Sequence, residues 1–191
     1  MRYWLPGLTA VAVFLYARTY DLAELALLSK GIPVIVLLLW LQQAPAGTYR
    51  RWIGLGLLCS LAGDILLDWP ADLFVFGLGA FLLAHLAYLR AYCSDCRQPA
   101  WLALMLALSI GASIFTLLAS NGLGALLLPV ACYALAISAM LWRALARLGQ
   151  PQLNQRSTWL AAAGAGLFVL SDSLIGINRF AAPFEAAPYA I

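Results

Sequence analysis

The sequence consists of long apolar stretches separated by short polar breaks, and this pattern restricts the fold more than any other feature. A helix that crosses the hydrocarbon core of a membrane needs about 20 mainly apolar residues. Only helices and closed barrels satisfy their backbone hydrogen bonds there, and these stretches lack the alternation typical of barrel strands. We therefore predict seven transmembrane helices, over residues 3–17, 25–42, 51–68, 73–92, 100–119, 122–146 and 157–178.

The composition excludes most soluble classes of protein. Hydrophobic residues make up 64% of the chain and charged residues 10%, whereas soluble domains have roughly 45–50% apolar and about 25% charged residues. A water-soluble enzyme, a nucleic-acid binder and a disordered chain are therefore excluded. The expected fold is all-α, a polytopic transmembrane helix bundle in which residues 1–191 form a single domain. The expected location is a bacterial inner membrane.

The distribution of Arg and Lys predicts the orientation of the helices, because cytoplasmic loops of membrane proteins carry an excess of basic residues. With seven spans, eight basic residues fall on the side of the N-terminus and three on the other side. The N-terminus is therefore predicted to lie in the cytoplasm and the C-terminus outside. The eight are Arg2, Arg50, Arg51, Arg90, Arg97, Arg143, Arg147 and Arg156, and the three are Arg18, Lys30 and Arg179.

Ionisable side chains inside the predicted spans are the candidate functional residues, because inserting one costs about 2.5–3.5 kcal/mol. They are Asp64, Asp68, His85, Asp172 and Lys30. The spacing of four residues places Asp64 and Asp68 on one helical face. When the spans alternate in direction, all five side chains lie near the middle or in the outer half of the membrane, on four helices. This convergence in depth favours a shared polar site.

A structural role for the same residues stays open. Asp64 is able to bond Ser60 within its own helix, and Asp68 is able to end that helix. His85 has two interpretations of equal weight, a satisfied histidine within the bundle and a catalytic or binding group. The structural interpretation weakens for the whole set, because each further buried charge adds a desolvation cost without improving the core.

Metal and redox chemistry are not predicted. A zinc site needs three or four His, Cys or carboxylate ligands, and the chain has one His. Cys93 and Cys96 form a lone CxxC pair, which we interpret as ordinary loop thiols rather than a redox centre. Asp95, between them, is interpreted as a solvated loop residue.

Two motifs carry a resemblance to a known family. The first reads GDILLD at residues 63–68 and is followed by Phe81, His85 and Tyr88; the second reads SD at residues 171–172 and is followed by Asn178 and Phe180. Together they resemble the YhhN-like family of membrane lysoplasmalogenases, over essentially the whole chain. Members of that family usually have eight helices, so the resemblance implies that the last helix is missing from this sequence.

The resemblance implies a hydrolase that cleaves the vinyl ether bond of lysoplasmalogens, releasing a fatty aldehyde and glycerophosphoethanolamine or glycerophosphocholine, without a cofactor or metal. Such a reaction needs a proton donor, a negative charge near an oxocarbenium ion and a base for water. Paired carboxylates, one protonated and one ionised, fill these roles in glycoside hydrolysis. The expected catalytic residues are Asp64, Asp172 and His85, and the expected substrate-binding residues are Lys30, Asp68, Tyr88, Asn178 and Ser171.

Two other classes of function stay open at this point. A small lipid or solute carrier would use the same polar pocket, but with a water path to both faces rather than a lateral opening to lipid. A scaffold with structural polar pairs would lose folding, rather than turnover, when its aspartates are replaced by asparagine. The expected partners are a lysophospholipid substrate and the membrane, with no nucleic acid. Head-group and chain-length preference, the choice of acid and base, and the oligomeric state are left open.

Overall fold

The computed structural model describes residues 4–184 and 186–190. Within these residues all regular secondary structure is helical, which confirms the predicted all-α class. The α-helices are α1 (Trp4–Thr19), α2 (Ala23–Leu41), α3 (Thr48–Leu67), α4 (Phe74–Asp95), α5 (Trp101–Ser120), α6 (Leu127–Ala146), α7 (Gln155–Gly176) and α8 (Ala187–Ala190). A 3-10 turn (Gly124–Leu126) precedes α6, and a π-helical segment (Ile177–Ala181) continues α7.

Within the described residues, five helices are long and apolar enough to cross a membrane: α2, α4, α5, Gly124–Ala146 and Gln155–Ala181. The chain is therefore a helical, multi-pass integral membrane protein. Of the other two predicted spans, α1 is apolar but shorter, and α3 carries Arg50, Arg51 and Asp64. The count of seven spans and the cytoplasmic N-terminus stay predictions. Arg2 and the predicted start of the first span at residue 3 lie outside the described residues.

Most predicted spans end within a few residues of the observed helices. The largest difference is at α6, which begins at Leu127 rather than at residue 122. Gly122 and Gly124 have φ values of +87° and +53°, a conformation that glycine adopts without strain and that does not belong to a right-handed helix. The two glycines therefore delay the start of α6.

The chain forms two compact units, unit 1 (Met1–Ala91) and unit 2 (Tyr92–Ile191), with the boundary near the end of α4. Each unit is described by itself. The single domain predicted over residues 1–191 stays a prediction.

In unit 1, α1 packs against α2 and α2 packs against α3. A small buried cluster of Phe14, Ala17 and Ala26 joins the first two helices. The α3 helix approaches α4 closely at Gly63, where a Cβ atom would lie 2.8 Å from the ring of Phe81. The small residues therefore bring the end of α3 that carries Asp64 against α4.

In unit 2, α6 packs against both α5 and α7. Gly111 of α5 faces Ser138 of α6, whose Oγ would clash with a Cβ atom added at Gly111. Gly176, at the end of α7, faces Leu118 of α5, whose Cδ1 would lie 2.9 Å from an added Cβ. These contacts hold the three helices close enough to enclose the groove described below.

Candidate functional site

Four charged side chains of unit 1 form one ionic cluster, which we call the Asp68 cluster (Arg18, Lys30, Asp64 and Asp68). Nη2 of Arg18 donates to Oδ1 of Asp68 at 3.0 Å. Nζ of Lys30 donates to Oδ2 of Asp68 at 3.2 Å and lies 3.6 Å from Oδ1 of Asp64. Asp68 therefore pairs with two basic side chains, and Lys30 lies between two carboxylates.

Three helices of unit 1 place the members of the Asp68 cluster. Arg18 lies in the last turn of α1, Lys30 lies in α2, and Asp68 is the C-terminal cap of α3. Because residues four apart on a helix are neighbours on one face, a single lysine reaches both Asp64 and Asp68. The four side chains are only 12–27% exposed. Charged side chains with so little exposure to solvent are tolerated when they pair with one another.

His85 lies on α4 and is completely buried, with 0% exposure. Its Nδ1 is hydrogen-bonded to the backbone carbonyl of Phe81, one helical turn earlier. A carbonyl oxygen only accepts, so Nδ1 carries a hydrogen and donates it to this carbonyl. The hydrogen bond therefore fixes the orientation of the imidazole.

Tyr88 lies one turn beyond His85 on the same helix and is also buried. Its hydroxyl shares a hydrogen bond of 3.1 Å with the hydroxyl of Ser60 on α3. The ring occupies the space that a side chain at Gly56 would need. Ser60, which the sequence suggested as a partner of Asp64, therefore links α3 to Tyr88.

The third in-span carboxylate, Asp172, lies on α7 in unit 2 and is half-buried. It accepts a hydrogen bond from the hydroxyl of Tyr133 on α6. Its neighbour Ser171 is half-buried. Asn178 lies in the π-helical segment, and its side-chain oxygen accepts from the backbone N–H of Phe184 at 3.2 Å. Asn178 therefore holds the backbone that follows α7, in a type of helix that is frequent at functional sites.

A groove in unit 2 lies between α5, α6 and α7, and we call it the unit 2 groove. It contains about 490 Å³ of space, part of which is open at the mouth. Asp172 and Tyr133 are polar residues in its wall. Two serines also line it, but Ser138 and Ser173 donate to carbonyl oxygens of their own helices at 2.7 Å and 2.6 Å. The polar character of the groove is therefore concentrated at Asp172 and Tyr133.

The rest of the wall of the unit 2 groove is apolar. It extends along α5 from Ala107 to Leu118, and along α6 from Val130 to Leu141. Leu141 lies eight residues beyond Tyr133 on α6, which is roughly 12 Å at the rise of an α-helix. The apolar wall of the groove therefore extends about this far along α6 beyond Tyr133.

A second group of charges, in unit 2, corrects the interpretation of Asp95 as a solvated loop residue. Asp95 ends α4, and its two oxygens accept from Nε and Nη2 of Arg147 at 3.0 Å and 2.7 Å. Arg143, one turn earlier on α6, donates to the backbone carbonyls of Cys96 and Gln98. Both arginines are buried. These two arginines of the C-terminal part of α6 bind the end of α4 and the segment that follows it.

Cys59, Cys93, Cys96 and Cys132 are free thiols. Cys96 is buried and its thiol lies 3.6 Å from the carbonyl oxygen of Ala146, while Cys93 is half-buried. In the part of the chain that the structure describes, no group of three or more His, Cys, Asp or Glu side chains is arranged to hold a metal ion.

The family to which the chain belongs is shown by comparison with known families. The model of the YhhN family matches residues 25–191, which is most of the chain. The chain belongs to the YhhN family. The matched region includes Lys30, Asp64, His85 and Asp172, whereas Arg18 precedes it. Family membership confirms the resemblance that the two motifs indicated.

Several YhhN relatives carry the name lysoplasmalogenase. Lysoplasmalogenase TMEM86B of Homo sapiens is 36% identical over 193 residues, which cover 98% of this chain and 79% of that protein. TMEM86B of Sus scrofa is 37% identical, over 84% of this chain and 66% of that protein. The lysoplasmalogenase of Mycobacterium tuberculosis is 40% identical, over 74% of this chain and 55% of that protein. This chain thus spans about half the length of the mycobacterial protein. No solved structure shows significant similarity to this chain.

Sequence reasoning missed two residues that contact the candidate site residues of this YhhN protein. Arg18 was counted only for orientation, yet it binds Asp68. Tyr133 was not singled out, yet it binds Asp172. Arg18 is predicted to lie near the outer end of its span, at a depth similar to that of the two carboxylates of span three. This similarity in depth was a usable signal that Arg18 pairs with one of them. One tyrosine among the 8 in the sequence offered no such signal.

Proposed function

We propose that this YhhN protein is a membrane-embedded lysoplasmalogenase that hydrolyses the vinyl ether bond of a lysoplasmalogen. The products are a fatty aldehyde and glycerophosphoethanolamine or glycerophosphocholine. The observation that carries the proposal is the match to the YhhN family over residues 25–191, whose relatives are named lysoplasmalogenase. That region contains all three carboxylates that lie within the predicted spans, Asp64, Asp68 and Asp172.

The chemistry requires an acid and a base at different moments. The acid transfers a proton to the alkene carbon that is not bonded to oxygen. The double-bond electrons form the new C–H bond, and the carbon attached to oxygen becomes part of an oxocarbenium ion. Water adds to that carbon and gives a proton to the base, forming a hemiacetal. The hemiacetal hydroxyl then loses its proton as the aldehyde C=O forms, the bond to the glycerol oxygen breaks, and that oxygen takes up a proton. One water is consumed, and the catalyst recovers its proton.

Asp64 and Asp172 are the proposed acid–base residues. Paired carboxylates support an oxocarbenium-like transition state in glycosidases, one by donating a proton and the other by its negative charge. Asp172 is supported in this role by the Tyr133 hydroxyl, which orients its carboxylate within unit 2. Asp64 is supported by Lys30, 3.6 Å away within unit 1. Their pairing with each other stays a prediction.

His85 and Tyr88 are proposed to support Asp64 from α4. The imidazole is held by the Phe81 carbonyl, and a residue that orients a carboxyl or a water molecule needs a fixed orientation. Tyr88 is held by Ser60 on α3, the helix that carries Asp64. Both interactions favour a rigid arrangement, on which general acid–base catalysis depends.

The Asp68 cluster is proposed to bind the phosphate of the head group. Lys30 and Arg18 supply two positive charges, and Asp68 holds both in place at 3.2 Å and 3.0 Å. Lysine and arginine are the usual cationic ligands of phosphate. Ser171 and Asn178 are proposed to contribute further polar contacts to the substrate beside Asp172. The proposed location is the inner membrane of a bacterium.

The test uses the purified full chain in detergent, with aldehyde release from a lysoplasmalogen as the readout. The variants are Asp64→Asn, Asp172→Asn and His85→Ala, and the matched control is Glu24→Gln, which changes an exposed carboxylate at the start of α2. Each Asp→Asn change is expected to lower kcat at least about a hundredfold, the usual contribution of a general acid or base. The control keeps the rate of the wild type. A saturated alkyl-ether lysolipid, which has no vinyl group to protonate, is expected to stay uncleaved.

Two outcomes would contradict this proposal. Full activity in both Asp→Asn variants would refute carboxylate catalysis. Absence of aldehyde from the folded wild-type protein would refute the hydrolase itself, and retained binding of the lysolipid would then favour the carrier. A melting temperature measured for every variant separates loss of turnover from loss of folding.

A further inference from the structure

The unit 2 groove combines a polar end with a long apolar wall. Asp172 and Tyr133 supply the polar groups, and the wall beyond them runs to Ala107 and Leu141. Both of these far residues are buried, Ala107 at 1% exposure and Leu141 at 5%. A ligand that matches this pattern has one polar or reactive end and one slender apolar chain.

We propose that the unit 2 groove holds the hydrocarbon chain of the lysolipid, and that Ala107 and Leu141 at its far end determine which chain lengths the protein accepts. This inference rests on the proposed function for the identity of the reacting group. The vinyl ether carbons are the first two carbons of the chain, so a chain that lies in the groove with its first carbons beside Asp172 presents the reacting atoms to a carboxylate.

The direction of the groove fits a lipid that enters from one leaflet. Asp172 is predicted to lie in the outer half of the membrane, and α6 runs from Tyr133 toward Leu141 over roughly 12 Å. The chain would therefore extend from the head-group region toward the middle of the membrane, parallel to the chains of its neighbours. A lysolipid has a single chain, and one groove accommodates it.

The chemistry of the wall supports a hydrocarbon rather than a polar solute. Ser138, halfway along the groove, donates its hydroxyl hydrogen to the carbonyl oxygen of Ala134 at 2.7 Å. Ser173 does the same toward Val169 at 2.6 Å. With these donors committed to the backbone, the length of the groove offers mainly aliphatic contacts, and each methylene group buried there adds to affinity.

Substitutions at the far end test the inference through the ratio of long-chain to short-chain substrates. Ala107→Leu fills the end of the groove, and the matched control Ala112→Leu makes the same change at an exposed position of α5. The ratio of kcat/KM for long-chain against short-chain lysoplasmalogen is expected to fall about tenfold in Ala107→Leu, the equivalent of about 1.4 kcal/mol. It stays unchanged in Ala112→Leu. Leu141→Ala, which enlarges the same end, is expected to raise the ratio.

A binding measurement separates this inference from the proposed function. Dissociation constants for short-chain and long-chain alkyl-ether lysolipids, which are not cleaved, are expected to show the same shifts in ratio. Equal ratios in the wild type, Ala107→Leu and Leu141→Ala would overturn the inference, because the chain would then lie elsewhere or the groove would hold bulk lipid. An equal shift in Ala107→Leu and Ala112→Leu would overturn it too. Shifted binding ratios without aldehyde from the wild type would refute the hydrolase and retain the chain site.

Discussion

The ion pair between Asp95 and Arg147 leads to a quantitative prediction about folding. Arg147 is 2% exposed, so its guanidinium has little access to water. The Nε–H group of Arg147 donates to one oxygen of Asp95 at 3.0 Å, and Nη2 donates to the other at 2.7 Å. This two-point geometry holds both side chains in one orientation. The guanidinium also lies over the ring of Tyr92, with Cζ of Arg147 5.3 Å from the ring centroid.

The two partners differ in exposure, and this difference makes the prediction asymmetric. The side chain of Asp95 is 27% exposed, against 2% for Arg147. Asp95→Ala leaves a buried cation without its carboxylate, and breaking a buried pair in this way costs about 3–5 kcal/mol. Arg147→Met removes the buried charge and leaves a carboxylate that water reaches. Its cost is expected to be lower, about 1–2 kcal/mol, because a well-packed apolar substitute for a buried ion pair is often nearly neutral.

A double-mutant cycle measures the coupling between Asp95 and Arg147. Free energies of unfolding are obtained by titrating the protein in mixed micelles with denaturing detergent, for the wild type, both single variants and the double variant. The double variant is expected to be as stable as Arg147→Met, so that the coupling energy equals the cost of Asp95→Ala, about 3–5 kcal/mol. Arg156→Met, at an exposed arginine of α7, is the control and is expected to stay within about 0.5 kcal/mol of the wild type.

Additive effects of the two substitutions would refute this reasoning, because they would show that Asp95 and Arg147 do not stabilise each other. A greater loss in Arg147→Met than in Asp95→Ala would refute the asymmetry, and would indicate that packing of the arginine stem matters more than its charge.

Two further predictions concern residues that the structure places beside the candidate site. Tyr133→Phe removes the hydroxyl that binds Asp172. It is expected to lower kcat up to about tenfold with little change in KM, since a hydrogen bond contributes about 0.5–1.5 kcal/mol. An unchanged kcat would contradict a positioning role. Gly56→Ala forces a methyl group into the ring of Tyr88 and is expected to cost about 1–3 kcal/mol of stability in the same detergent titration. The control is Gly54→Ala, whose Cβ would make an ordinary contact of 3.5 Å, and equal losses in both variants would contradict the close packing.

Part of the candidate site was accessible from helical periodicity. Asp64 and Asp68 were predicted to share a face of one helix, and in unit 1 both lie within 3.6 Å of the same Lys30 nitrogen. Periodicity did not identify Arg18, because it lies 50 residues before Asp68 in the chain. The rotation of each helix about its axis, which decides such partners, is set by packing against its neighbours.

The same distinction applies to Asp95. Its position in the loop predicted between residues 92 and 100 indicated a solvated side chain, since charged residues are mostly exposed. Arg147, 52 residues later at the end of α6, instead pairs with it. The basic residues used to predict orientation therefore also have structural partners, which a count of charges per loop does not include.

The sequence by itself determined that this chain is a helical membrane protein of the YhhN family with three carboxylates inside its predicted spans, because hydropathy and local motifs depend only on neighbouring residues. The tertiary structure decided which groups those carboxylates meet: Arg18 and Lys30 at Asp68, and Tyr133 at Asp172. It also decided that an apolar groove leads away from Asp172. Side chains far apart in the chain meet only through the packing of whole helices, and the small residues at helix contacts set how closely those helices approach.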